Sequence, residues 1–275
     1  MALPAPLPQR ALIAAIQRAP AVLLYLDYDG TLVPIRRDPS RCPLSPAVLA
    51  CLQALRTRPA PPGFDLAVVS GRSLVDLRRQ LGEGAAGISL AGNHGLEIAH
   101  DGRTWRDPRA EALVPQLDGV AERLQQALQG WPGAWLEHKG LSLSLHTRGL
   151  PAARREPLAR QLLPLLEQIH AEGQFLLRRG RLVLEIRPAI LHTKATAVQW
   201  LEAAAQRRGL WAAEAKAPLR LYFGDDDTDE DVFRLWPGVM GVRVGPSVQQ
   251  SAATYRLSGP AGVAQWLEQL ADRCP

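Results

Sequence analysis

Two short apolar runs each end in a cluster of carboxylates. Ala21–Leu26 leads into Asp27-Tyr28-Asp29-Gly30-Thr31, and Leu219–Phe223 leads into Gly224-Asp225-Asp226-Asp227-Thr228-Asp229-Glu230. Carboxylates crowded beside apolar strands repel one another and lose hydration unless positive charge holds them. A hard divalent cation with oxygen ligands meets that need, and Mg²⁺ is the commonest such ion that also binds phosphate. The pattern predicts a metal-assisted phosphoryl-transfer site, with Asp27, Asp29, Asp225 and Asp229 gathered at Mg²⁺.

Each residue type has a task in that chemistry. A carboxylate oxygen of Asp27 can attack phosphorus in line and give an aspartyl-phosphate, which splits one hard hydrolysis into two easier steps. Asp29 can protonate the leaving oxygen and then take a proton from the attacking water. Mg²⁺ shared by Asp27, the phosphate and Asp225 neutralises charge as the group moves. Thr31, Ser70 in the turn Ser70-Gly71-Arg72, and Lys194 are placed to hold phosphoryl oxygens. Of 32 basic residues only Lys139, Lys194 and Lys216 are lysine, so a lysine is expected where a compact ammonium is required. Lys216 falls in a polar loop with no motif. Asp226 and Asp227 are expected outside the metal's own ligands, and Glu230 is expected to cap the next helix.

The positioning elements follow from periodicity. Apolar runs at 21–26, 64–69, 88–90 and 219–223 are each followed by a Gly-containing polar turn, with helical stretches at 45–58, 73–81 and 196–207. That alternation predicts an α/β chain with a doubly wound parallel sheet, its ligand crevice at the carboxyl ends of the strands. The middle of the chain differs. A hairpin around Asp101-Gly102, a helix over 108–129, one alternating strand over 135–147, a helix over 152–170, and strands at 175–178 and 181–186 flanking Arg179-Gly180 describe a smaller α+β module. The expected organisation is a core of 1–100 and 188–275 with an inserted module at 101–187. Alternation places Glu137 and Lys139 on one face of their strand, suited to a hydroxyl-rich ligand.

Composition narrows the classes. A formal charge of +5 with scattered basic residues and no aromatic platform argues against nucleic acid and for an anionic small molecule. No apolar run approaches a membrane span, and residues 1–20 suit a short amphipathic helix, so a cytoplasmic location is expected. Cys42, Cys51 and Cys274 form no paired motif and are expected to be free thiols.

Taken together, Asp27-Tyr-Asp-Gly-Thr-Leu-Val-Pro-Ile, Ser70-Gly-Arg, Gly92-Asn-His-Gly, Glu137-His-Lys-Gly, Glu185-Ile-Arg-Pro with Lys194, and Gly224-Asp-Asp-Asp-Thr-Asp-Glu resemble the trehalose-6-phosphate phosphatases. These are haloacid dehalogenase superfamily members with an inserted cap. The resemblance runs in order from about residue 20 to 250. It implies Asp27 as nucleophile and Asp29 as acid/base, with Mg²⁺ held by Asp27, Asp225 and the Asp29 carbonyl. It also implies a cap that closes over the sugar through Glu137, Lys139, Arg148 and Glu185, hinging near 99–103 and 187–191. Arg72 and Asn93 are expected at the substrate, with His94 less directly involved. The family usually follows its active-site lysine with glycine; here Ala195 follows, which suits a helix's first turn. The expected activity is Mg²⁺-dependent hydrolysis of trehalose 6-phosphate, with a functional link to a trehalose-phosphate synthase. Action on another sugar phosphate, phosphoryl transfer to a sugar, and a catalytically silent regulatory domain are the alternatives.

Overall fold

The computed structural model describes residues 3–36, 40–58, 63–180, 182–212, 216–246 and 250–274. The chain begins with β1 (Ala5–Pro6), α1 (Gln9–Gln17), β2 (Ala21–Leu26), α2 (Pro46–Thr57), β3 (Gly63–Val69), α3 (Leu74–Leu81), β4 (Ser89–Gly92), β5 (Glu97–His100) and β6 (Arg103–Arg106). There follow α4 (Pro108–Ala112), α5 (Val114–Ala127), β7 (Trp135–His138), β8 (Leu143–His146), α6 (Ala152–Ala171), β9 (Phe175–Gly180) and β10 (Val183–Pro188). The last elements are α7 (Lys194–Arg207), β11 (Leu219–Gly224), α8 (Asp229–Leu235), β12 (Val239–Val244), β13 (Tyr255–Leu257) and α9 (Pro260–Arg273). Two compact units emerge, Met1–Trp105 with His192–Pro275, and Arg106–Leu191. The 99–103 stretch is the β5–β6 turn, so the hairpin expected in the smaller module lies in the larger unit's sheet.

That sheet has the order β1-β13-β12-β11-β2-β3-β4-β5-β6. Its pairs are parallel from β1 to β4, and β5 joins β4 antiparallel. β2 is buried along its whole length because its side chains serve two cores in turn. Val22, Leu24 and Leu26 pack with residues of α1, α2, α3 and α9, including Ile16, Leu52, Leu77 and Trp266. Ala21, Leu23 and Tyr25 pack with residues of α7 and α8, including Val198, Leu201 and Val232. Asp27 is in phase with this second set, on the side where α7 begins.

The smaller unit is an antiparallel sheet, β7-β8-β10-β9. One face carries Leu143, Leu145, Phe175 and Ile186, packed with Leu117, Val120 and Leu124 of α5 and Leu158, Leu162 and Ile169 of α6. The single strand expected over 135–147 is a hairpin. Gly140 takes φ +83°, and the Lys139 amide donates to the Ser142 carbonyl at 2.9 Å. The helix expected over 108–129 is two, broken before Pro115, whose ring cannot donate a backbone N–H. Arg179 and Gly180, expected as a turn, still belong to β9, while Arg181 lies outside the described residues. Among the described residues no helix is long and apolar enough to cross a membrane, and none of the three cysteines forms a disulfide.

Trp266 of α9 is fully buried, with its ring centroid 4.8 Å from that of Phe223, the residue before the Gly224 loop. Trp266→Ala should cost about 3–5 kcal/mol through the cavity it leaves. Thermal denaturation should show a Tm lower by roughly 10 °C. Trp266→Phe should lose far less; a Tm unchanged by the alanine variant would show that this packing does not hold the larger unit together.

Candidate active site

β2 and β11 run parallel with Leu26 opposite Phe223, and the Asp27 amide donates to the Phe223 carbonyl at 2.9 Å. The two strands therefore end level, and their carboxylates meet. One oxygen from each of Asp27, Asp225 and Asp229 lies within 4.8 Å of the others. Two glycines make the approach possible. Gly30 has φ +82°, and a Cβ there would fall on the Asp225 carboxylate; a Cβ on Gly224 would fall on the Asp229 side chain.

Lys194 opens α7, directly after a Thr193–Thr196 capping box. The helix begins earlier than the expected Thr196, and Ala195 sits in its first turn without displacing the lysine. Lys194 is 2% exposed, and its Nζ donates to Asp27 Oδ1 at 2.7 Å and to Asp229 Oδ1 at 2.8 Å. Asp226 Oδ1 lies 3.7 Å away. Burial alone would strip the ammonium of its proton, but Asp226, Asp229 and Asp27 outweigh it and raise Lys194 well above its ordinary value.

Asp229 is saturated. Its Oδ1 accepts from Lys194 and from the Tyr222 hydroxyl at 2.7 Å; its Oδ2 accepts from the amides of Asp225 at 2.9 Å and Asp226 at 3.0 Å. A carboxylate has about four acceptor positions, so Asp229 is spent on fixing the loop and the ammonium. Asp225 differs: its Oδ1 is buried with no hydrogen-bond partner among the described residues. Burial first, then repulsion from Asp229 and Asp226, pushes Asp225 up to about 7. Burial likewise pushes Asp27 well above the carboxylate range, against the downward pull of Lys194. An orphaned carboxylate oxygen beside a second carboxylate, short of positive charge and supplied only with oxygen donors, fits a hard divalent cation.

Asp29 is held apart from this cluster. Arg72 donates to it through Nε at 2.5 Å and Nη2 at 2.6 Å, and through Nη1 to Asp76 at 2.5 Å. The guanidinium, 8% exposed, also lies over the Tyr28 ring at 5.3 Å. Arg72 was expected at the substrate; in the structure it braces the second carboxylate of the first motif. The Ser70 hydroxyl accepts from the Arg72 amide at 3.2 Å, and Ser73 caps α3. Thr31 is fully buried with a hydroxyl that has no hydrogen-bond partner among the described residues. Asn93 is also fully buried, and its amide donates at 2.6 Å to Glu97 Oε1, which also accepts from the Leu74 amide at 2.8 Å. Asn93 and His94 both take positive φ, +48° and +56°, a strained pair held by hydrogen bonds to the Arg72 and Ser70 carbonyls.

Sequence reasoning missed Tyr222, Asp76 and Glu97, each acting through a residue that it did find. Only position in the strand could have suggested Tyr222, a polar tip one alternation before the acidic loop. Glu230 is not a helix cap. Asp226 accepts from the amides of Thr228 and Asp229 at the start of α8, while Glu230 accepts from Ser251 Oγ at 2.5 Å and the Ala252 amide at 2.8 Å. In the smaller unit, Glu137 Oε2 lies 2.9 Å from His146 Nε2 and Lys139 Nζ lies 3.7 Å from Glu185 Oε1; Arg148 is in the loop between β8 and α6.

The carboxylates give a pH prediction. The folded value of Asp225, about 7, exceeds its unfolded value near ~4, so the folded state holds the extra proton between them. This group's contribution to stability is complete at low pH and is lost as pH rises through about 7. In chelator, melting curves at pH 5.5 and pH 8 should therefore differ in their response to added Mg²⁺, with the larger gain in Tm at pH 8. Equal gains, or none, would remove Asp225 as a cation ligand.

Comparison with known proteins agrees with this geometry. The trehalose-phosphatase family model matches residues 25–259. The trehalose-phosphate phosphatase of Mycobacterium tuberculosis is 35% identical over 263 residues, covering 93% of this chain and 62% of its own length. The chain thus spans less than two thirds of that relative. A protein named "Probable trehalose-phosphate phosphatase C" from Arabidopsis thaliana is 30% identical over 259 residues, covering 90% of this chain and 76% of its own. The C-terminal domain of a C. albicans trehalose-6-phosphate phosphatase has the same fold, with a TM-score of 0.77 at 24% identity over 98% of each chain. With Asp27, Asp29, Lys194 and Asp225 standing at the strand ends inside the matched span, the chain belongs to the trehalose-phosphatase family.

Proposed function

We propose that this protein hydrolyses trehalose 6-phosphate to trehalose and phosphate, with Asp27 as nucleophile. The observation that carries the reading is Asp27 itself, a buried carboxylate at a strand end, bound at 2.7 Å by a buried ammonium and facing a partnerless carboxylate oxygen. Asp27 and Asp225 would hold Mg²⁺, which when bound would supply positive charge to the phosphoryl oxygens and help to keep Asp27 ionised.

The chain's own groups account for the rest. Lys194 engages one Asp27 oxygen and leaves the other for phosphorus. The carboxylate attacks, the bond to the sugar oxygen breaks, and Asp29 delivers a proton to that oxygen. Arg72 grips Asp29 by a two-pronged contact and so fixes the position of that carboxylate. Water then attacks the aspartyl-phosphate while Asp29 takes its proton, releasing phosphate and restoring Asp27. The Thr31 hydroxyl, buried and partnerless, and Ser70 supply contacts to the phosphoryl oxygens. Asn93, with its amide on Glu97, holds the loop beside Ser70 and Arg72 in place.

We assign sugar recognition to the smaller unit, through Glu137, Lys139, Arg148 and Glu185. Three thiols in no disulfide suit a reducing compartment, and we place the protein in the cytoplasm. Its substrate would be supplied by a trehalose-phosphate synthase.

Phosphate release against a panel of sugar phosphates tests the substrate. Trehalose 6-phosphate should be preferred, and equal rates on glucose 6-phosphate would defeat the assignment. Asp27→Asn should abolish turnover while the far-ultraviolet spectrum and Tm stay near those of the parent. Glu137→Ala or Lys139→Ala should weaken trehalose 6-phosphate hydrolysis far more than hydrolysis of a small aryl phosphate. Parallel losses on both substrates would mean that neither side chain reads the sugar.

A further inference from the structure

The sheet of the smaller unit has a second face, turned away from α5 and α6, and its residues form rows across the strands. Glu137 pairs with Ser144, and Ser144 with Glu185; the next row joins Trp135 to His146. Trp135 stands on an edge strand and remains 45% exposed, which leaves a large apolar ring unburied. Its ring is nevertheless fixed. It stacks on His146 with centroids 4.0 Å apart and planes 13° from parallel, and Glu137 holds His146 from the other ring edge at 2.9 Å. In the adjoining row the Ser144 hydroxyl is 1% exposed and has no hydrogen-bond partner among the described residues.

An aromatic surface beside carboxylates and an ammonium is a specific combination. A pyranose ring presents C–H groups on its faces and hydroxyls around its rim, so it can lie on an indole while its rim meets polar side chains. An exposed tryptophan already stacked on a neighbouring ring offers that surface at reduced ordering cost. From Trp135 to Lys139 the chain advances about 13 Å, room for more than one ring. Lys139 and Glu185 sit at one end of that span, 3.7 Å apart, and the indole sits at the other.

We infer that Trp135, backed by His146, is a stacking platform for the hexose ring that does not carry the phosphate, and that it favours disaccharide phosphates over monosaccharide ones. The inference rests on the sugar-phosphatase reading above. It adds a specificity-determining residue and a basis for selecting a second sugar ring.

The test compares Trp135→Ala and Trp135→Phe with the parent protein, on trehalose 6-phosphate and on p-nitrophenyl phosphate. Loss of one aromatic stack should lower kcat/KM for the disaccharide phosphate about tenfold relative to the aryl phosphate, mainly through KM. Trp135→Phe, which keeps a ring, should recover most of that ratio. A ratio unmoved by Trp135→Ala overturns the platform, as does a parallel loss on both substrates, which would mark the residue as structural. Should the parent protein turn over a different glycosyl phosphate and leave trehalose 6-phosphate untouched, the substrate assignment falls. The same ratio, taken with that glycosyl phosphate, then decides the platform separately.

Discussion

A single buried ammonium organises the larger unit's chemistry. Lys194 stands between two strand ends and binds one carboxylate from each, so the distance between the first and second acidic motifs is set by its two hydrogen bonds. The arrangement is electrostatically incomplete. Asp27, Asp225, Asp226 and Asp229 surround one positive charge, and burial drives Asp27, Asp225 and Asp229 toward protonation. A buried ion pair adds little net stability when desolvation is counted. Its value here is placement: Asp27 is held by one oxygen among carboxylates short of positive charge.

The division of labour among the aspartates follows from hydrogen-bond capacity. Asp229 has given all of its acceptor positions to Lys194, Tyr222 and two loop amides, and it acts as the scaffold for Asp225. Asp29 is occupied by Arg72, which also reaches Asp76 on α3 and thereby ties the first motif to the Ser70 turn. Two carboxylates two residues apart thus meet opposite surroundings, a lysine and fellow acids for one and an arginine fork for the other.

Much of this was legible in the residues. The apolar run from Ala21 to Leu26 announced a strand buried on both faces, whereas the close approach at Gly30 and Gly224 shows only once the Asp225 and Asp229 side chains are in place. What stayed hidden depended on three-dimensional neighbours. Arg72 looks like a ligand-binding arginine until Asp29 and Asp76 are seen on either side of it. Glu230 occupies a helix's first turn, where a cap is a fair expectation, but Ser251 and the Ala252 amide claim it from a distant segment. The 135–147 stretch alternates like one strand, and the left-handed Gly140 that folds it in two leaves that alternation intact. The hairpin at Asp101-Gly102 was recognisable as a hairpin. Its membership of the larger sheet was set by pairing between β4 and β5, which local sequence does not encode.

Trp105 and His192 are the last residue of the larger unit before the chain departs and the first after it returns, and their rings lie 5.8 Å apart. Exit and re-entry therefore share one aromatic clasp, and the catalytic half closes on itself without help from the segment it hosts. Such an insertion is exchangeable in principle: a short splice between these two side chains would leave every strand partner of the nine-stranded sheet in place. Exchange of the inserted module would therefore leave the contacts of Lys194 with Asp27 and Asp229 undisturbed.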